Sequence, residues 1–302
     1  MPRSDNKYAS RATPFTFIDL FAGIGGFHLA LHDLKGTCVY ASEWDKHARK
    51  TYQFNLAKIC PELFEKDLFR GDITLEENQK IIPENADILC AGFPCQPFSQ
   101  AGSQKGFAET RGTLFFEIAK IINDKRPKAI FLENVGNLLK HDQGKTFSTI
   151  CTILEKELGY TIFYKILKAS SYGLPTRRPR LYIVGFREDI ADKNNFSFPE
   201  PVKLKYTMSN ILNGKCEKKV GYTLRVGGRF SGICDKRNWD AYNVDGQVHF
   251  ITPHEGKKMM GFPDWFTFPV SDSRALRQLG NSVALDPVRM TAKKILAVLG
   301  LG

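Results

Sequence analysis

From Thr16 onward the chain alternates short apolar, β-prone runs with segments of helical periodicity, and few folds accommodate that alternation. Strands are expected over Thr16–Leu20, Thr37–Ser42, Ala86–Ala91, Lys128–Leu132, Tyr160–Lys168 and Leu181–Phe186. Between them Leu114, Ile118 and Ile121 share one helical face, as do Phe147, Ile150, Leu154 and Leu158, with Gly159 as a stop. The expected fold class is α/β, a doubly wound and mostly parallel sheet with crossover helices. Only a Gly- and Pro-containing loop joins the last two strands, too short for a helical crossover. Those two should therefore be antiparallel neighbours at one edge.

The pattern changes after Phe196. Pro199 and Pro201 mark a hinge, and the next fifty or so residues lose helical periodicity while carrying Gly221, Gly227, Gly228, Gly232 and Gly246 among aromatic and basic residues. Helical character returns at Thr252-Pro-His-Glu, and Asp286–Leu299, opened by Asp-Pro, reads as a helix returning to the first unit. The expected organisation is a polar leader over residues 1–14, a catalytic unit over 15–195 completed by 281–302, and a smaller irregular unit with its hinge over 196–280. At 302 residues and 42% hydrophobic content the chain can fill such a core. Its 43 Lys and Arg against 32 Asp and Glu leave a net +11, which favours a polyanionic partner without separating nucleic acid from ordinary basic solubility. Seven cysteines without a Cys-x-x-Cys pair favour neither a disulfide framework nor a zinc site, so no metal and a reducing, cytoplasmic compartment are expected. No apolar run is long enough to span a bilayer, so no membrane partner is expected.

Two places carry chemistry. Ala22-Gly23-Ile24-Gly25-Gly26 is a Gly-rich strand-to-helix turn, of a kind that serves dinucleotides, phosphates or plain packing alike. Glu43 follows about twenty residues later at the end of the second strand, where this fold places a carboxylate against ribose hydroxyls; the pairing points to a nucleoside ligand without choosing between NAD and S-adenosylmethionine. The second place is Gly-Phe-Pro-Cys95-Gln-Pro-Phe. Pro94 and Pro97 bracket a cysteine on a rigid turn at a strand end, where a nucleophile would meet a substrate; a core cysteine would not need the strand to break.

Five segments, Phe17-Ile-Asp-Leu-Phe-Ala-Gly-Ile-Gly-Gly26, Gly92-Phe-Pro-Cys-Gln-Pro-Phe-Ser99, Glu133-Asn-Val135, Thr176-Arg-Arg-Pro-Arg180 and Gln278-Leu-Gly-Asn-Ser-Val283, stand in the order of the cytosine-C5 DNA methyltransferase family. The chain resembles that family, in its bacterial restriction-modification branch, nearly throughout outside a window from about Phe196 to Phe250. The resemblance implies an S-adenosylmethionine-dependent methyltransferase fold and the cofactor S-adenosyl-L-methionine, leaving S-adenosyl-L-homocysteine. Phe21, Gly23, Ile24, Gly25 and Gly26 would then surround its amino-acid portion, with Glu43 on the ribose and Trp44 against the adenine. Asp72 and Ile73 would line the adenine pocket, Asn281 and Ser282 would close the methionine end, and Pro94 would complete the lining. Read alone, Trp44 serves equally as a surface cap and Asp72 as a turn residue.

The same resemblance implies that the Cys95 thiolate adds to C6 of a cytosine and activates C5 toward the methyl group, with Glu133 sharing a proton with N3. Arg180 would contact O2 and Arg178 would support that network; phosphate binding is the alternative for the arginines, and for Glu133 a helix-start carboxylate. Thr176 stands where the family usually has glutamine, and Pro179 where an acidic residue is common. The reacting carbons lie inside the stack, so the base must be flipped out of double-stranded DNA. Ser99–Phe107 would close over it, with Gln104 filling the gap; a plain surface loop is the alternative. Sequence choice would lie with Arg225, Arg229, Lys236, Arg237, Asn238 and Asp240, whose side chains read base edges or clamp phosphates. A monomer, with a cognate restriction endonuclease encoded nearby, is the expected setting. The rivals are a transfer-RNA cytosine methyltransferase, whose usual Cys-Phe-Thr is absent, a silent S-adenosylmethionine-binding module, and a nucleotide-dependent oxidoreductase.

Overall fold

Successive residues of a strand face opposite sides of a sheet, so a strand buried on both faces must be apolar throughout. The computed structural model describes residues 15–94 and 114–301 and shows this plainly. Phe17, Cys90 and Phe131 belong to one buried cluster, while their chain neighbours Ile18, Leu89 and Ile130 belong to another on the opposite face. Helices Gly26–His32 and Leu285–Val298 contribute to the first cluster, and Leu114–Lys125 and Lys145–Thr152 to the second. The leader, Cys95 and the loop with Gln104 lie outside the described residues.

The main sheet has seven strands: β1 (Phe15–Leu20), β2 (Gly36–Ser42), β3 (Phe69–Arg70), β4 (Ile88–Gly92), β5 (Ala129–Val135), β6 (Tyr160–Lys168) and β7 (Pro179–Arg187). Their order is β3-β2-β1-β4-β5-β7-β6. β1 to β5 are mutually parallel, and β7 runs antiparallel between β5 and the edge strand β6, as the short connection required. The expected strand over Ala86–Ala91 is displaced, beginning at Ile88 because Asp87 does other work. Its carboxylate accepts from the Thr16 amide (2.7 Å) and from Lys128 Nζ (2.7 Å), tying the entries of β1, β4 and β5 together.

The chain leaves β1 toward β2 and β3 on one side and returns to β4 and β5 on the other. This reversal opens a crevice at the carboxyl ends of β1 and β4, where ligands bind in open α/β sheets. Beyond β7 a hairpin forms from β8 (Ala241–Val244) and β9 (Gln247–Phe250) around Asp245-Gly246, both with positive φ (50° and 83°). Helix Pro253–Met259 opens with a capping box between Thr252 and Glu255 and with proline in its first turn. Met208, Leu224, Trp239, Tyr242 and Met259 join the first buried cluster, so the apolar core continues into the 196–280 segment.

Candidate active site

The Gly-rich turn is shaped by close approach. At Gly25 (φ 88°) a Cβ would stand 2.6 Å from Leu56 Cδ1, and at Gly26 one would stand 2.6 Å from Val283 Cγ2 and 2.9 Å from Ser282 Oγ. Ser282 and Val283 are thus pressed against the turn across more than 250 residues of chain. At Gly23 (φ 58°) a Cβ would meet nothing within 4 Å, so the turn faces open space there. Phe21 has a positive φ of 55°, and the Ile24 side chain is buried in the core, leaving its backbone to face the turn.

Glu43 follows β2 and ties two amides, accepting from Gly23 N (2.8 Å) on Oε2 and from Asp45 N (2.8 Å) on Oε1. Each oxygen keeps a second lone pair, enough to receive a pair of hydroxyls. Burial raises its pKa against the opposing pull of these amides. Asp45 caps the helix Lys46–Leu56 by accepting from His47 N and Ala48 N, which fixes the backbone on the far side of Trp44. Trp44 is 79% exposed, a flat apolar face with no covering. Arg49, which the sequence reading passed over, bridges the Glu43, Phe69 and Arg70 carbonyls and lies 4.6 Å over the Phe69 ring. It binds the ends of β2 and β3 into one rim. On that rim Asp72 Oδ1 accepts from Thr74 N (2.9 Å) and Thr74 Oγ1 (2.8 Å), and Ile73 is buried.

A second residue the sequence reading passed over is Asp19, in β1. Among the described residues no donor meets either of its fully buried oxygens in good hydrogen-bond geometry, the His28 amide being near enough only to pull on the charge. Burial pushes its carboxyl up to about 8, the His28 amide opposing this and the Glu43 charge adding to it. An aspartate inside an apolar strand was the available signal.

Across the crevice, the register pairs Gly92 of β4 with Glu133 of β5, and Pro94 emerges exposed two residues beyond Gly92. Asn134 Nδ2 donates to the Phe93 carbonyl (2.9 Å), so Glu133-Asn134 holds the backbone that leads to Cys95. Glu133 is buried, and Arg180 Nε stands 3.0 Å from its Oε1 as an ion pair, although the approach is off-line for a hydrogen bond. Desolvation raises the Glu133 pKa, and Arg180 and Arg178 pull it back. Arg180 also donates to the Pro179 carbonyl (2.9 Å). Arg178 is expected to support that network, and its charge acts on Glu133. Its guanidinium is wholly buried and turned into the protein, where Nη2 donates to the carbonyls of Gly280 (3.1 Å) and Ser282. That burial also removes it from phosphate binding.

The family comparison agrees with this geometry: the chain matches the C-5 cytosine-specific DNA methylase family over residues 15–231 and 225–297. The chain belongs to this family. It is similar to the type II methyltransferase M.HpaII of Haemophilus parainfluenzae, at 42% identity across 95% of this chain and 90% of that protein. It is likewise similar to the type II methyltransferase M.HhaI of Haemophilus parahaemolyticus, at 38% across 94% of each. Among solved structures, the Entamoeba histolytica methyltransferase EhMeth has a TM-score of 0.67 at 19% identity, covering 94% of this chain and 98% of that one. A likeness at that identity speaks for the methyltransferase fold alone.

In this cytosine-C5 DNA methyltransferase the expected recognition residues divide. Arg225 and Lys236 are exposed. Arg237 is exposed but held by Asp235, with Nη2 to Oδ2 at 2.8 Å. Arg229 Nε stands 3.4 Å from Asp240 Oδ2, and its guanidinium lies 4.5 Å over the Phe230 ring. Asn238 and Asp240 correct the sequence reading, because both are buried. Asn238 donates to the Ile233 and Ala241 carbonyls and accepts from the Asp240 and Ala241 amides, while Asp240 is fully enclosed and also accepts from Phe230 N. Their side chains are committed to shaping the loop. Phe230 (63% exposed, φ 59°) is the surface group the sequence reading overlooked, an aromatic side chain displayed between Gly228 and Gly232. Among the described residues no helix is long and apolar enough to cross a membrane.

Proposed function

We propose that this methyltransferase modifies C5 of a specific cytosine in double-stranded DNA, as the modification enzyme of a restriction-modification system. The observation that carries the reading is one carboxyl edge of the parallel sheet with two carboxylates in different environments: Glu43 between two amides beside the open face of Gly23, and Glu133 buried against Arg180, one strand from the turn leading to Cys95. The Glu43 lone pairs, the uncovered Trp44 face and the open Gly23 fit the ribose, adenine and amino-acid portions of S-adenosylmethionine in turn. Bound there, S-adenosylmethionine supplies an electrophilic methyl group.

The remaining chemistry falls to the chain. The Cys95 thiolate adds to C6 while Glu133 gives a proton to N3, so electron density collects at C5 and the new C–S bond is balanced without a buried anion. Arg180 holds both the Glu133 carboxylate and the O2 of the base. Once C5 carries the methyl group, the N3 proton returns to Glu133 and a solvent water takes the C5 proton, so that the C6–S bond breaks, the thiolate leaves and the ring is restored. Desolvation suits Glu133 to this task, because burial raises its pKa against the pull of Arg180 and Arg178, and a raised carboxyl takes up a proton more readily than an exposed one. The base reaches this site only when extruded from the duplex. Arg225, Lys236 and Phe230 offer the exposed groups for DNA, with residues 196–280 as the recognition unit and 15–195 with 281–302 as the catalytic one. A soluble cytoplasmic monomer, with a partner endonuclease encoded nearby, completes the proposal.

Expression in a methylation-deficient host followed by bisulfite sequencing tests substrate and target site together. Protected cytosines within one short recurring sequence are expected. Their absence, from folded protein that binds S-adenosylmethionine, defeats the reading.

A further inference from the structure

The buried Arg178 is poorly explained as a group for the base, yet it occupies the meeting point of three functional segments. On one side its guanidinium holds the Gly280 and Ser282 carbonyls, the turn that presses on Gly26. On another, the Glu133 and Arg180 charges both act on it. The chain just before it is stitched to the recognition segment at Gly221-Tyr222: Gly221 N donates to the Pro175 carbonyl (2.9 Å), Arg177 N to the Gly221 carbonyl (3.1 Å) and Thr176 Oγ1 to the Tyr222 carbonyl (2.8 Å). The recognition backbone then returns to the same place. A Cβ on Gly280 would stand 2.8 Å from the carbonyl carbon of Arg225, 2.9 Å from its oxygen and 3.2 Å from Val226 N. Arg178 itself has a φ of 21°, a conformation that a non-glycine residue keeps only when its surroundings hold it.

We propose that Arg178 is a positioning residue that couples DNA recognition to cofactor binding: a shift of the Arg225–Val226 backbone on the DNA moves Gly280, and Arg178 carries that shift to Ser282 and to the Glu133 side of the crevice. Close-packed groups transmit displacement because they cannot deform independently. The serine that closes the cofactor end and the catalytic carboxylate then respond to one event. Linkage makes the effect reciprocal, so cognate DNA tightens cofactor binding by the same factor that cofactor tightens DNA binding. This rests on the cofactor and DNA reading above.

The test titrates S-adenosylhomocysteine calorimetrically into the full chain, with and without the cognate duplex found by bisulfite sequencing. Wild type is expected to bind about 5- to 150-fold more tightly with the duplex, and Arg178→Lys to show a ratio within about twofold of one. Lysine ends one bond short of the Nη2 that serves both carbonyls, so its ammonium loses their reach, but it keeps the charge facing Glu133, so the pH limb set by Glu133 should stay in place. Arg178→Met removes the charge that lowers the Glu133 pKa and should move that limb to higher pH. Thr176→Val and Gly280→Ala approach the junction from its other sides and should also lower the ratio, which keeps the test open if Arg178 variants do not fold. A purely structural role would weaken both affinities equally and leave the ratio intact, and that result, or a wild-type ratio of one, overturns the inference. Wild type that binds no S-adenosylhomocysteine at all instead defeats the cofactor reading on which it stands.

Discussion

Glu133 and Glu43 are both glutamates at strand ends, and their neighbours give them different tasks. Glu133→Gln keeps the shape but cannot transfer a proton, so kcat should fall by about 10²- to 10⁴-fold while S-adenosylhomocysteine affinity holds; an unchanged kcat in single-turnover assays would place the proton elsewhere. Glu43 grips the Gly23 and Asp45 amides as well as facing the site, so Glu43→Ala should weaken S-adenosylmethionine binding by about 1–3 kcal/mol. Titration calorimetry measures this directly, and unaltered affinity would remove Glu43 from the ribose. Asp19 leaves its signature on stability instead. Its pKa is raised from 3.8 to about 8 in the folded chain, so over that window the folded state binds a proton that the unfolded state has lost. The sign is therefore a loss of stability as pH rises, by up to about 1.4 kcal/mol per pH unit from this one group. Urea unfolding of wild type and Asp19→Asn between pH 5 and 8 should give a difference that grows with pH in favour of the variant, and parallel pH profiles would deny Asp19 a raised pKa.

Among the elements, legibility followed length and burial. The long parallel strands announced themselves because both faces are buried and their residues are apolar without a break, as in Ile88-Leu-Cys-Ala91. β3 spans Phe69–Arg70 alone, and two residues carry no periodicity to read. The β8–β9 hairpin was legible yet unread. Asp245-Gly246 between alternating residues is a strong hairpin signal, overlooked amid the many glycines around it. Asn238 and Asp240 could not have been placed from sequence, because their burial depends on the Arg229 and Phe230 donors to Asp240 and on Trp239 tied to the Gly227 carbonyl, all brought together by the fold. The residues proposed for catalysis were named for the opposite reason. Cys95, Glu133 and Arg180 belong to short motifs whose residue types the chemistry dictates, whatever surrounds them. The cap of helix Pro253–Met259 was equally local: Thr252 bonds Glu255 N, and Glu255 returns to Thr252 N. Thr252→Ala should cost about 1 kcal/mol in urea unfolding, and no change would mean that Pro253 and packing alone start the helix.

At the scale of the whole molecule, the net charge of +11 draws the enzyme to any DNA, and sequence choice must be added by the few groups free to meet base edges. The structure separates two arginines that the sequence left equivalent. Arg229 is held by the enclosed Asp240 carboxylate, so Arg229→Ala should chiefly lower stability, by about 1–3 kcal/mol, through a buried carboxylate left without its counter-charge. Arg225 is exposed while its backbone rests on Gly280, so its side chain is free to read and its main chain is fixed. Arg225→Ala should cost about 1–3 kcal/mol on the cognate site and narrow the margin over mismatched sites. Lys236, exposed beside the Asp235–Arg237 pair, should behave as a phosphate contact, and Lys236→Ala should weaken all sequences alike with a salt slope shallower by about 1. Affinities for cognate and mismatched duplexes across a salt series distinguish the two kinds of loss. If Arg225→Ala weakens both duplexes by one factor, Arg225 grips phosphate, and base reading passes to the other exposed group that the fold presents beside it, the Phe230 ring between its two left-handed glycines.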